Sequence, residues 1–197
     1  MPTSQRHLLR RGLALEYITL GWNVIGVIVL VVAAIAARSV ALAGFGLDSL
    51  VEIAASLVVV WELTGAGGPA GERRALRLIG AAFFGLALYI AAQAAYVLAT
   101  NAHPEPSSLG IVWTAITCVV MVTLASGKAT TGRALGNAVL MAEGRVTLID
   151  AVLAGAVLIG LVLNAAVAWW WADPLAGLVI VFYGTREGLA AWRRETR

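Results

Sequence analysis

From Gly12 to Ala37 the chain carries a single charged side chain, Glu16, and apolar runs of similar length recur all the way to Trp192. A helix needs about 20 such residues to cross the hydrocarbon of a bilayer, so each run is long enough to be a span. The first is too long for the apolar region of a cleaved leader, and it contains a carboxylate, so it is read as a retained helix. With 60% hydrophobic and 13% charged residues and a mean hydropathy of +0.88, the chain lies well outside the range of water-soluble domains. The fold class is an all-α integral membrane protein.

Six spans are expected, at residues 13–37, 41–63, 75–99, 109–125, 138–168 and 175–192, forming a single transmembrane domain over residues 1–197. Turn chemistry and charge mark the connections: ARS, TGAGGPAGERR, NAHPEPSS, SGKATTGR and WWWADP. In the last of these, Asp173 followed by Pro174 reads as an N-cap and first-turn proline of the sixth helix. The stretch from Asn137 to Trp169 would rise about 48 Å as one helix, so the fifth span is expected to tilt, kink or project into the cytosol.

The basic residues sort to one face. Arg6, Arg10 and Arg11, the cluster of Arg73, Arg74 and Arg77, the loop assigned to Lys128 and Arg133, and Arg193, Arg194 and Arg197 at the end all fall together, opposite Arg38 alone. Cytoplasmic loops collect such residues, so both termini are expected in the cytoplasm. Trp169, Trp170 and Trp171 mark the other interface, with Trp61 and Trp192 near the inner one. Abundant arginine and alanine with one lysine suggest a GC-rich bacterial genome, and hence an inner membrane. Scattered charge of this kind does not describe a nucleic-acid surface. One cysteine, Cys118, allows neither an internal disulfide nor a thiolate cluster.

Acids inside the spans are the informative residues. Asp48 lies about 15 Å past the outer loop at helical rise, near the middle of the bilayer. Glu52 follows one turn later on the same face. Asp150 reaches a similar depth on the fifth span, with Glu143 two turns toward the cytosol, and Asn23 is similarly deep on the first. Each mid-membrane carboxylate costs roughly 3 kcal/mol to insert, and Arg145 is the only base expected nearby. Protons or a bound cation must offset that cost. A divalent ion entering such a site displaces protons, so the two compete for the same oxygens.

The residues LDSLVEIAAS, AEGRVTLID and ADPLAG resemble the membrane domain of the cation diffusion facilitators. In that resemblance Asp48 and Glu52 take the ligand positions of the second helix, and Asp150 takes the aspartate position of the fifth. It implies a six-transmembrane-helix bundle of cation-diffusion-facilitator type that carries divalent metal. Val146 stands where the family usually has His or Asp. In its place Glu143 is the expected ligand, with Asn23 offering a carbonyl oxygen. An oxygen-only set leans toward manganese, iron or a broad divalent range rather than zinc. The family's cytoplasmic C-terminal domain is not expected after Arg197, so any homodimer would use the membrane helices.

The expected function is therefore proton-coupled efflux of a divalent metal by alternating access, with a site of Asp48, Glu52, Asp150, Glu143 and Asn23. Metal ion, protons and lipid are the expected partners, and no prosthetic group is called for. The alternative is a membrane scaffold or regulatory subunit that retains part of a metal site. The sequence contains no HExxH, nucleophile elbow or phosphate loop, and the expectation is that the chain is not an enzyme.

Overall fold

The chain, seen in a computed structural model, winds into α1 (Thr3–Ala37), α2 (Val40–Leu63), α3 (Pro69–Thr100), α4 (Ser108–Leu135), α5 (Ala138–Val167) and α6 (Ala172–Glu195). The structure describes the backbone of residues 3–64 and 69–195, and the side chains there except at 3–4, 62–63, 69–80, 82, 138, 187 and 190–195. Arg73, Arg74, Arg77, Trp192, Arg193, Arg194 and Arg197 lie outside the described side chains. Among the described residues there is no strand.

Five helices hold stretches long and apolar enough to cross a membrane: Gln5–Ala37, Val40–Trp61, Phe83–Thr100, Ser108–Leu135 and Val139–Val167. The sixth expected span does not reach that standard over its described residues. Its described side chains run unbroken only over residues 172–186, shorter than a span, and α6 lies along α3 with α5 and α2 also against it.

The fourth span is longer than expected, and the loop assigned to SGKATTGR is overturned. Helix α4 runs through that segment to Leu135. Its polar residues do not break it, because the Ser126 and Thr130 hydroxyls bond back to carbonyls of their own helix. The real turn is Gly136–Asn137. Gly136 takes a left-handed φ of 63° and returns its N–H to Arg133 and Gly132, while Asn137 accepts from the Leu140 amide at 2.8 Å and starts α5. That helix is continuous for 30 residues.

Three corners meet at one end of the bundle. The Glu105 amide donates to Ala37 O at 2.7 Å, Asn164 Nδ2 donates to Pro104 O at 2.9 Å, and the His103 ring stacks on Trp170. Asp173 does not cap its own helix, contrary to expectation. It accepts from the Ser39 hydroxyl and from the amides of Val40 at 2.9 Å and Ala41 at 3.3 Å, while Ser39 Oγ takes the Leu42 amide and Ser39 O the Ala43 amide. All four leading amides of α2 are satisfied, two of them by a residue of α6.

The helices pack most closely as α4 with α5, α3 with α6 and α1 with α2, and α2 also touches α5. A methyl group at Gly160 would stand 2.9 Å from Ala176 Cβ, so glycine there sets the close approach of α5 to α6. The packing is uneven along the bundle. Toward the tryptophan end the core is apolar, with Leu30, Leu42, Phe45, Ile90, Val157 and Leu161. Toward the Gly136 end a buried polar seam replaces it, and there the acidic side chains expected to form the site gather.

Candidate metal centre

Helix α2 carries Asp48, Glu52 and Ser56 at one-turn intervals, and α5 carries Glu143, Thr147 and Asp150 on one face. All six are buried, whereas Leu50 and Leu57 of α2 and Leu148 and Val152 of α5 are exposed. Each helix therefore turns its apolar side outward and its polar row toward the other. In water this arrangement would be costly on both faces; in lipid the outward leucines are solvated and only the acids need partners.

Asp48, Glu52, Val146 and Asp150 line one cavity of about 10 Å³, together with residues that include Tyr183 of α6. That is room for about one water or a stripped ion. Asp150 stands against the Glu52 carboxyl. Neither Asp150 oxygen, nor Glu52 Oε1, receives a hydrogen bond from any described donor. Two acids side by side with three of their four oxygens lacking a described donor require a proton or a cation between them. Among the described residues no three His, Cys, Asp or Glu side chains have the spacing of an assembled metal centre. The carboxylates border a common space rather than closing on one point.

The other two expected ligands behave differently. Asn23 reaches Glu52, but with its amide nitrogen: Nδ2 donates to Glu52 Oε2 at 3.3 Å and to Thr19 O at 3.1 Å. In this geometry it orients a carboxylate rather than offering an oxygen. Glu143 does not line the cavity. Its Oε1 accepts from Ser56 Oγ at 3.1 Å and faces Lys128 Nζ at 3.4 Å.

Lys128 corrects the sequence reading most sharply. It was assigned to a cytoplasmic loop, yet it is fully buried, and its Nζ lies 3.1 Å from Glu16 Oε2. The exposed Arg145 is not the base near the acids; Lys128 is. Two signals pointed to it. It is the chain's one lysine among thirteen arginines, and the glycine–asparagine pair eight residues on is a stronger turn than the segment around it. Tyr183 was also missed, since nothing in the sixth span sets its phenol apart from an interfacial aromatic.

A bundle with lipid-compatible outer faces and buried acids between its helices defines a multi-pass membrane protein. The chain belongs to the cation efflux family: residues 76–192 match the model of the cation efflux transmembrane domain. The match runs from α3 into α6 and includes Lys128, Glu143, Val146 and Asp150, while α2 with Asp48 and Glu52 precedes it. The family is one of metal-cation transporters.

Proposed function

We propose that the chain exports a divalent metal cation from the cytoplasm in exchange for protons, by alternating access around Asp48, Glu52 and Asp150. The observation that carries this reading is the meeting of α2 and α5 carboxylates on one cavity where both Asp150 oxygens and Glu52 Oε1 lack a donor. Protons neutralise such oxygens in one state and a doubly charged ion in the other, and the two states exclude each other. A site that alternates between them moves metal and protons in opposite directions.

The ligands are oxygens, with Val146 contributing none, so hard ions such as manganese or iron suit the site better than zinc. Asn23 steers Glu52 from α1, and Glu143 acts one turn further along the seam through its contact with Lys128. The basic residues other than Lys128 still favour one face, which supports cytoplasmic termini and a bacterial inner membrane. Any homodimer forms through the transmembrane helices.

The test uses purified full-length protein in lipid vesicles with a trapped metal-sensitive dye, and a pH dye in parallel. An imposed proton gradient should drive manganese movement, and a manganese gradient should drive protons the opposite way. Lowering pH on both sides should weaken manganese binding, because protons compete for the same oxygens. Asp48→Ala and Asp150→Ala should each abolish flux. No movement of manganese or zinc by well-folded protein would overturn the reading, and a strong preference for zinc would overturn the oxygen-only site.

A further inference from the structure

One turn beyond the cavity, toward the Gly136 end, the polar seam continues into a second cluster. There α2 contributes Ser56, α5 contributes Glu143 and Thr147, α1 contributes Glu16 and α4 contributes Lys128. The ammonium of Lys128 stands 3.1 Å from Glu16 Oε2, 3.4 Å from Glu143 Oε1 and 3.0 Å from Thr147 Oγ1. Ser56 Oγ holds Glu143 Oε1 at 3.1 Å. Glu16, Ser56, Lys128 and Thr147 are fully buried, or nearly so, as is Glu143.

The surroundings of Nζ are thus oxygens brought from separate helices, and two carboxylates face one ammonium. With both carboxylates ionised the cage holds one negative charge more than its occupant neutralises, and neither Glu16 oxygen receives a hydrogen bond from a described donor. A lysine ammonium is a compact point charge with three donors, and here two bond Glu143 Oε1 and Thr147 Oγ1 while Glu16 Oε2 is met only as an ion-pair contact. Lone pairs are left over. An oxygen cage with surplus charge and surplus acceptors suits a hard divalent ion better than an ammonium.

We propose that Glu16 and Glu143, with the Ser56 and Thr147 hydroxyls, form a second cation site on the α2–α5 seam, and that Lys128 is a tethered cation filling it. The site accepts hard divalent ions of the manganese class when the ammonium is absent. That an ion in transit meets this site on its way to Asp48, Glu52 and Asp150 rests on the transport reading above; the site itself does not.

The experiment counts manganese bound per chain, by equilibrium dialysis of detergent-purified full-length protein against chelator-buffered Mn²⁺, followed by elemental analysis. Lys128→Ala should bind one more Mn²⁺ per chain than the parent, and Lys128→Ala with Glu143→Gln should return to the parental count. Removing one partner of a buried ion pair can unfold a protein, so each variant is purified both with and without Mn²⁺ and its dispersity followed by gel filtration. A Lys128→Ala protein that aggregates without Mn²⁺ and is monodisperse with it also supports the site, provided Glu143→Gln removes that requirement. Aggregation in both buffers, an unchanged count in folded protein, or an added ion indifferent to Glu143→Gln would each refute it. Asp150→Asn separates the two sites: it should remove Mn²⁺ from the first and leave the added equivalent of Lys128→Ala intact. If Asp150→Asn changes nothing while the added equivalent remains, the transport site fails and the second site stands.

Discussion

Asn23 Nδ2 donates to Glu52 Oε2 across 3.3 Å, tying α1 to the acidic row of α2 at a point where both side chains are buried. The bond holds one Glu52 oxygen and leaves Oε1 without a described donor, beside the cavity shared with Asp150. A hydrogen bond to a charged group contributes about 1.5 to 3 kcal/mol. Losing it should lower metal affinity by roughly 10- to 100-fold. Asn23→Ala is therefore expected to raise the manganese concentration for half-maximal flux by about that factor, with little change in maximal rate. A loss of maximal rate at unchanged affinity would show that Asn23 does not act through Glu52.

Asp150 carries a cost in the absence of cargo. Its two oxygens are buried with no described donor, and a carboxylate at this depth costs roughly 3 kcal/mol. Asp150→Asn removes the charge and supplies an amide that can donate to Glu52. The variant is expected to unfold a few degrees higher than the parent in metal-free detergent. It should also lose the stabilisation that bound metal provides, about 2.7 kcal/mol at a hundred times the dissociation constant. Thermal unfolding with and without Mn²⁺ reads both effects. A variant that melts lower yet is still stabilised by Mn²⁺ would remove Asp150 from the site.

Asp173 links α6 to α2, two of the helices that line the cavity. Its carboxylate takes two leading amides of α2 and the Ser39 hydroxyl, all buried. Asp173→Ala leaves those donors without an acceptor and should cost about 2 to 4 kcal/mol. Asp173→Asn keeps one acceptor oxygen and should cost about half as much. Denaturation in detergent compares them. A loss for Asp173→Ala with none for the isosteric Asp173→Asn would mean that the side chain serves by filling space rather than by accepting hydrogen bonds.

The helical bundle was legible because apolar run length depends only on local composition, and Asp48, Glu52 and Asp150 stood out because charge is rare inside such runs. Lys128 was not legible by the same logic. A base between apolar runs reads as a loop residue unless the partners that neutralise it are known, and Glu16 and Glu143 come from helices distant in sequence. Asp173 misled for a related reason. Its local pattern fits a cap of its own helix, but the amides of α2 reach it first. The interior acids announced themselves singly; how they divide between cavity and ion pair depends on packing that no single segment encodes.

Val146 separates this chain from the histidine-bearing pattern it resembles, and it lines the same cavity as Asp48, Glu52 and Asp150. Valine gives the site an apolar wall and no lone pair. A histidine at that position carries three more heavy atoms than valine, so the small cavity must open to admit it, and its neutral imidazole adds a nitrogen ligand that zinc favours over manganese. Val146→His is therefore expected to raise zinc flux relative to manganese by about 10-fold, the effect of roughly 1.4 kcal/mol in relative binding. The change should come mainly from zinc, because manganese already has the carboxylates it prefers. Competition of zinc against a fixed manganese gradient in vesicles measures the ratio directly. If Val146→His leaves the ratio unchanged while the protein still transports, the ion does not pass within reach of this wall, and the α2–α5 cavity is not where it binds.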